Sequence, residues 1–290
     1  MNIVYLVFGH NISYYQQVFF SVYTALLNKS ESDRILVLAE DPSFFKQIEE
    51  HITIIPLDQA LLTAWQGSYG YFFRLKIKAL EYVAQEYPNQ PILYLDGDTF
   101  IYNSLASLKE ELDKGSTIMH VNEGFLAQLP TKSEKKMWKS LKYQTFAGVY
   151  IDEKTTMWNS GVIGISAQHV ETIPLALKIC DEMCLANIEY FTKEQLAFAL
   201  AGSQFTTIQP ADHIIGHYWG NKEEWDEIIS TWMKQSLMRK YSFAEMMAEV
   251  AKIPFDQIPF YYKHSNTYKR LSKQLENRFQ PKKNPLFIQK

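Results

Sequence analysis

The apolar positions of this chain fall into short continuous runs, separated by stretches in which they recur every three or four residues. Residues 3–8, 34–39, 52–56 and 92–95 are runs of the first kind, the pattern of strands covered on both faces. Residues 14–27 and 71–86 follow the second pattern, with Leu75, Ala79, Leu80 and Val83 on one helical stripe. A shorter helix fits 42–50, and 58–70, with Trp65, Gly67 and Gly70, reads as a loop or broken helix. Strand and helix alternating at this spacing predict an α/β fold with right-handed crossovers and a mostly parallel sheet. Further strands are expected at 116–122 and 162–166, and helices at 169–186, 193–201, 223–240, 243–251 and 266–279. Residues 125–157 resist assignment; an insert of that length in a compact domain is either functional or unordered. The pattern divides into a main domain over 1–235 and a helical C-terminal extension over 236–290.

The strand-like run at 92–95 ends in Asp96-Gly97-Asp98. Open α/β sheets bind ligands at the carboxyl ends of their strands, and alternation along an extended chain turns both acids to one side. Two carboxylates so close repel each other and are costly to desolvate. A divalent cation relieves both penalties, and oxygen ligands suit Mg²⁺ or Mn²⁺, which commonly bridge to a substrate diphosphate. A solvated acidic turn is the plainer alternative.

Charge and cysteine content narrow the function classes. The formal net charge is −3, but residues 263–290 hold eight of the 29 bases and one of the 32 acids, which leaves the remainder at −10. An acidic body excludes nucleic acid as the main partner. The basic tail predicts peripheral contact with an anionic membrane face, or else a solvated terminal helix. No run reaches the roughly 18 apolar residues of a membrane span, and the N-terminus lacks the basic start of a signal peptide. These features predict a cytoplasmic protein. The two cysteines, Cys180 and Cys184, read as buried thiols.

No glycine-rich phosphate loop is present, so bound phosphates must be held by metal and side-chain cations. Three other segments are candidates to join the acid pair. Arg74, at the start of the helix before the acidic strand, offers a fork suited to phosphate. Trp158-Asn159-Ser160-Gly161-Val162 places polar side chains at the mouth of an apolar strand. His217-Tyr218-Trp219-Gly220-Asn221-Lys222 offers an imidazole, rings, a glycine and a lysine, and imidazole ligates Mn²⁺ well.

Taken in order, Arg74, Leu95-Asp96-Gly97-Asp98, Trp158-Asn159-Ser160-Gly161-Val162, Glu194-Gln195 and His217-Tyr218-Trp219-Gly220-Asn221-Lys222 resemble the motifs of the family 8 glycosyltransferases. The resemblance spans about residues 1–225. It implies a GT-A fold, a mostly parallel mixed sheet flanked by helices, and transfer of a hexose from a nucleotide diphospho-sugar, UDP-linked, with retention of configuration. It implies that Asp96, Asp98 and His217 bind Mn²⁺ or Mg²⁺. Gly9, His10, Asn11, Arg74, Gly97, Gly220 and Lys222 would join the two acids in contacting the nucleotide. Asn159, Glu194 and Gln195 would hold the sugar near its anomeric carbon. Two departures stand out. Gly9-His10-Asn11 lies where the family has an acid against the base, and the last motif is one residue short between Gly220 and Lys222. A surface glycan of the lipopolysaccharide or capsule type in a bacterium is the expected acceptor, with 125–157 and Phe260-Tyr261-Tyr262 lining its site.

Asp96-Gly97-Asp98-Thr99 is also similar to the first motif of the haloacid-dehalogenase phosphatases, in which Asp96 would be the nucleophile and Asp98 the acid/base. That chemistry needs a later acidic metal motif, and 157–225 contain no closely spaced Asp pair. A third reading is a module that binds a nucleotide sugar without turning it over.

Overall fold

A computed structural model describes residues 1–190, 192–263 and 284–288. The first half contains β1 (Asn2–Val7), α1 (Ile12–Asn28), β2 (Arg34–Ala39), β3 (Thr53–Pro56), α2 (Gln59–Gln66), α3 (Arg74–Glu86), β4 (Ile92–Leu95), β5 (Thr99–Ile101), α4 (Ala106–Asp113) and β6 (Thr117–Met119). An insert follows, with β7 (Asn122–Phe125), α5 (Lys132–Leu141), β8 (Thr145–Phe146), β9 (Val149–Tyr150) and β10 (Thr156–Trp158). The chain then forms β11 (Val162–Ile165), α6 (Thr172–Leu185), α7 (Lys193–Phe205), β12 (Ile208–Pro210), β13 (Ile215–His217), α8 (Lys222–Arg239), α9 (Phe243–Ala251), β14 (Tyr261–Lys263) and β15 (Asn284–Leu286).

The main sheet has seven strands in the order β12-β6-β11-β4-β1-β2-β3. Within it only β11 is antiparallel to its neighbours, β4 and β6. Burial on both faces explains the continuous apolar runs. In β1, Ile3, Tyr5 and Val7 enter one apolar cluster and Val4 the other. In β4, Leu93 and Leu95 face the first cluster while Ile92 and Tyr94 face the second, as a period of two requires. Helices α1, α8 and α9 cover the first face, and α3, α6 and α7 the second. The order turns from β4 through β1 to β2, so the crevice at the carboxyl ends of β4 and β1 is a topological switch point.

Several expectations change. Residues 59–66 form a regular helix, α2, because Asp58 caps it by accepting from the Leu61 N–H at 2.7 Å. The strand expected over 116–122 breaks after Met119: β6 stays in the main sheet, while β7 leaves it to pair antiparallel with β10. The unassigned insert is therefore a structured flap, with a capping box from Thr131 and Glu134 starting α5. Strands β5 and β13 were not foreseen; three residues each carry too little periodicity to read. The helix expected over 266–279 lies outside the described residues. Among those residues, no helix is long and apolar enough to cross a membrane.

Candidate active site

The pairing of β5 with β13 builds the site. Its register sets His217 opposite Thr99, and the Tyr218 N–H donates to the Asp98 carbonyl at 3.0 Å. An imidazole is thereby carried to the acid pair at the end of β4. One ligand atom from each of Asp96, Asp98 and His217 lies within 4.8 Å of the others. Close glycines make room for this. A Cβ at Gly161 would stand 2.3 Å from the His217 ring, and one at Gly216 would stand 2.2 Å from Phe100.

Hydrogen bonding orients the imidazole. The Asn159 side-chain oxygen accepts from the Gly161 N–H at 3.0 Å and meets His217 Nδ1 at 3.0 Å, so Nδ1 is the donor of that contact. In the neutral ring the Nε2 lone pair then points at Asp98 Oδ1, 3.3 Å away. Two such acceptors repel unless a proton or a cation lies between them. A donor set of two carboxylates and one imidazole, with the second ring nitrogen fixed by an amide oxygen, fits a divalent ion such as Mn²⁺.

Two lysines flank the acids. Lys76 is 4% exposed; its Nζ lies 2.9 Å from Asp96 Oδ1 and 3.9 Å from Glu194, and it donates to the Ser160 carbonyl at 3.1 Å. Lys222, in the first turn of α8, reaches Asp98 Oδ2 at 2.8 Å with about half its side chain in solvent. Burial alone would raise the Asp98 pKa, but His217 and Lys222 outweigh it and hold the carboxyl well below its usual range. Burial likewise pulls Lys222 down, and Asp98 more than offsets that, so its net shift is upward.

A second polar cluster adjoins the first. Gln195 donates to Glu123 Oε2 at 3.0 Å, and Asn159 makes a longer contact of 3.4 Å to Oε1. Glu123 as a whole is exposed, yet its carboxylate is crowded by the flap and α7, and that desolvation raises its pKa despite the amide donors. Glu194 is 1% exposed. Its carboxylate accepts from the Tyr71 hydroxyl at 2.8 Å and the Ser160 hydroxyl at 3.3 Å, and burial raises its pKa.

The expected residues thus divide. Asp96, Asp98, His217, Asn159, Gln195 and Lys222 converge. Glu194 lies just behind them, turned to Tyr71, Ser160 and Lys76. Arg74 does not join: its guanidinium makes a two-point pair with Asp181 at 2.7 and 3.0 Å and donates to the Trp65 carbonyl. Lys76, not Arg74, is the α3 cation that reaches Asp96, because two residues are about 200° apart on a helix and only one can face the sheet. Asn11 caps α1 through the Ser13 N–H, His10 is exposed, and the Gly9 N–H donates to Glu40. Gly97 packs against Val18, where a Cβ would come within 2.9 Å. Gly220 packs under the ring of Tyr261, which also meets the half-exposed Trp219 at 4.9 Å. The sequence reading missed Lys76 and Glu123. A lysine amid the apolar stripe of α3 was a signal for the first; nothing local marked the second.

No protein-family model matches the sequence, and no curated protein matches it. Among solved structures, the chain is similar to the galactosyltransferase LgtC in complex with donor and acceptor sugar analogs. That match has 14% identity and a TM-score of 0.51, over 88% of this chain and 98% of that one. It is also similar to mouse xyloside xylosyltransferase 1 in its apo form, at 14% identity and a TM-score of 0.48, over 73% of this chain and 84% of that one. The likeness to LgtC establishes the architecture: a mixed, mostly parallel sheet flanked by helices, of the GT-A type.

Proposed function

We propose that this chain is a metal-dependent glycosyltransferase of the family 8 type. It moves a hexose from a nucleotide diphospho-sugar, UDP-linked, to a surface-glycan acceptor with retention of configuration. One observation carries the reading: Asp96, Asp98 and His217 converge at the carboxyl edge of a GT-A-type sheet. These residues would hold Mn²⁺ or Mg²⁺, which when bound offsets the charge that grows on the diphosphate leaving group. Lys222, half in solvent at the first turn of α8, adds a cation where the diphosphate departs, and the helix N-terminus reinforces it. Asn159 fixes the tautomer of His217. Gln195 and Glu123 present an amide and a carboxylate to the hydroxyls of donor and acceptor. Lys76 and Glu194 form a buried strut that holds Asp96 in place from behind.

The flap carrying Glu123, together with Trp219 and Tyr261, frames the side on which an acceptor would enter; exposed rings suit sugar faces. The basic segment 263–290 would bring the enzyme to an anionic inner-membrane face carrying a lipid-linked lipopolysaccharide or capsule precursor. Sedimentation with anionic liposomes checks that part, since equal binding with and without the segment removes it. The test of the activity is a panel of UDP-, GDP- and CMP-sugars with Mn²⁺, followed by nucleotide release. Release from one sugar class, abolished by chelation, is expected; no release from any donor ends the proposal.

A further inference from the structure

The chain leaves the main sheet at His120, one residue past the end of β6, and that residue ties together two segments that position His217. It is 5% exposed. Its N–H donates to the Asn159 carbonyl at 3.0 Å, and its own carbonyl accepts the N–H groups of Ala211 and Asp212, both at 3.0 Å. Its ring Nε2 lies 2.9 Å from the Ile215 carbonyl. A carbonyl only accepts, so Nε2 carries the proton. The ring also stands edge to face with that of His217, with centroids 5.3 Å apart and planes at 90°. Asn159 holds His217 Nδ1, and Ile215 opens the strand that ends in His217. His120 therefore grips both the residue that orients the imidazole and the strand that carries it.

That strand needs an outside tie. β13 and β5 form a sheet of two strands, three residues each, and so small a ribbon is marginal unaided. The tie has a cost. His120 Nδ1 is buried with no hydrogen-bond partner among the described residues, a penalty that an apolar side chain of similar size would avoid. What the imidazole adds over a leucine is an N–H aimed at the backbone of β13. We infer that His120 is a positioning residue of the cation site, fixing His217 against Asp98 through the Ile215 carbonyl, a role that rests on the proposed reading of Asp96, Asp98 and His217 as metal ligands. Outer partners of a ligating histidine typically change metal affinity about ten- to a hundredfold. His120 acts through the backbone, one step further out, so the low end of that range applies.

Titration of the full-length protein with Mn²⁺ alone, followed by loss of the free-ion EPR signal, tests this role, with urea unfolding run in parallel. H120L fills the space without a donor and is expected to bind Mn²⁺ about tenfold more weakly than wild type. H120Q can set an amide N–H at the place of Nε2 and should restore most of the affinity. A merely structural role gives another pattern, in which both variants lose stability and neither loses Mn²⁺ affinity. That pattern, or equal weakening in H120L and H120Q, overturns the role of His120 alone. Should H120L not fold, ¹⁵N-histidine NMR of the metal-free wild type and H120Q decides. His120 is expected as the Nε2–H tautomer in the wild type, and His217 as the Nδ1–H tautomer in both proteins. Absence of the Nε2–H tautomer at His120 removes the tie and overturns the role. Failure of the wild type to bind Mn²⁺ overturns this role and the metal site together.

Discussion

The two ends of the main sheet use the same chemical vocabulary for opposite purposes. At the amino end, Asp33 is 5% exposed and saturated: the Met1 ammonium, Lys109, and the Ser30 N–H and hydroxyl all meet its carboxylate at 2.9–3.1 Å. At the carboxyl end, Asp96, Asp98 and His217 converge, and among the described residues two lysines answer them. One of these, Lys222, is half in solvent. A cavity of about 440 Å³ lies at the amino end, lined by Asn28, Asp33 and Lys109 among others, so empty space does not mark the chemistry. What distinguishes the ends is the ratio of charges: one acid against two cations, with every lone pair used, builds stability, whereas two acids and an imidazole against two lysines form a donor set that fits a divalent ion.

The contrast can be broken by mutation. The largest effect is expected from D98N and H217A, which should each lower metal-dependent turnover on the order of a thousandfold or more, the scale of removing a preorganised charge from a reacting centre. Nucleotide release measures this, and full activity in both would mean the cluster is ornamental. Next comes K76M, which strands the buried carboxylate of Glu194 and the partly exposed one of Asp96. It should cost about 3–5 kcal/mol in urea unfolding and most of the turnover. R74M breaks a partly exposed pair with Asp181 and should cost about 1 kcal/mol, with turnover within a few-fold of wild type; a collapse of activity in R74M would restore the arginine to the diphosphate site.

The smallest effects belong to the amino end. D33N should lose about 1–3 kcal/mol of stability at neutral pH and leave turnover intact. Burial on its own would raise the Asp33 pKa, but Lys109, Ser30 and the Met1 ammonium outweigh it and the net shift is downward. A carboxyl whose folded pKa is depressed stabilises the fold fully above its unfolded value of about 3.9. That contribution fades as pH falls through the lower folded value. The gap between wild type and D33N in unfolding free energy should therefore close below about pH 4; a gap that persists there would show that packing, not charge, makes the difference.

Much of this was legible in the chain. The apolar runs at β1, β2 and β4 read as strands covered on both faces because they are short and rich in branched side chains, whereas α1 and α7, which also bury long consecutive runs, are far longer. The acid pair after β4 had to sit at a ligand-binding edge once the sheet was parallel. Local chemistry likewise fixed the long helices. Three decisions needed the folded chain. Whether Arg74 or Lys76 faced Asp96 depended on the rotation of α3 about its axis, which its neighbours set. Glu123 reached Gln195 only because β7 leaves the main sheet to pair with β10, an exchange of hydrogen bonds between segments about thirty residues apart. His217 met Asp98 through three backbone pairs with β5. Periodicity records which face of an element is buried; it holds no record of what that face meets, because that is settled by long-range pairing and packing.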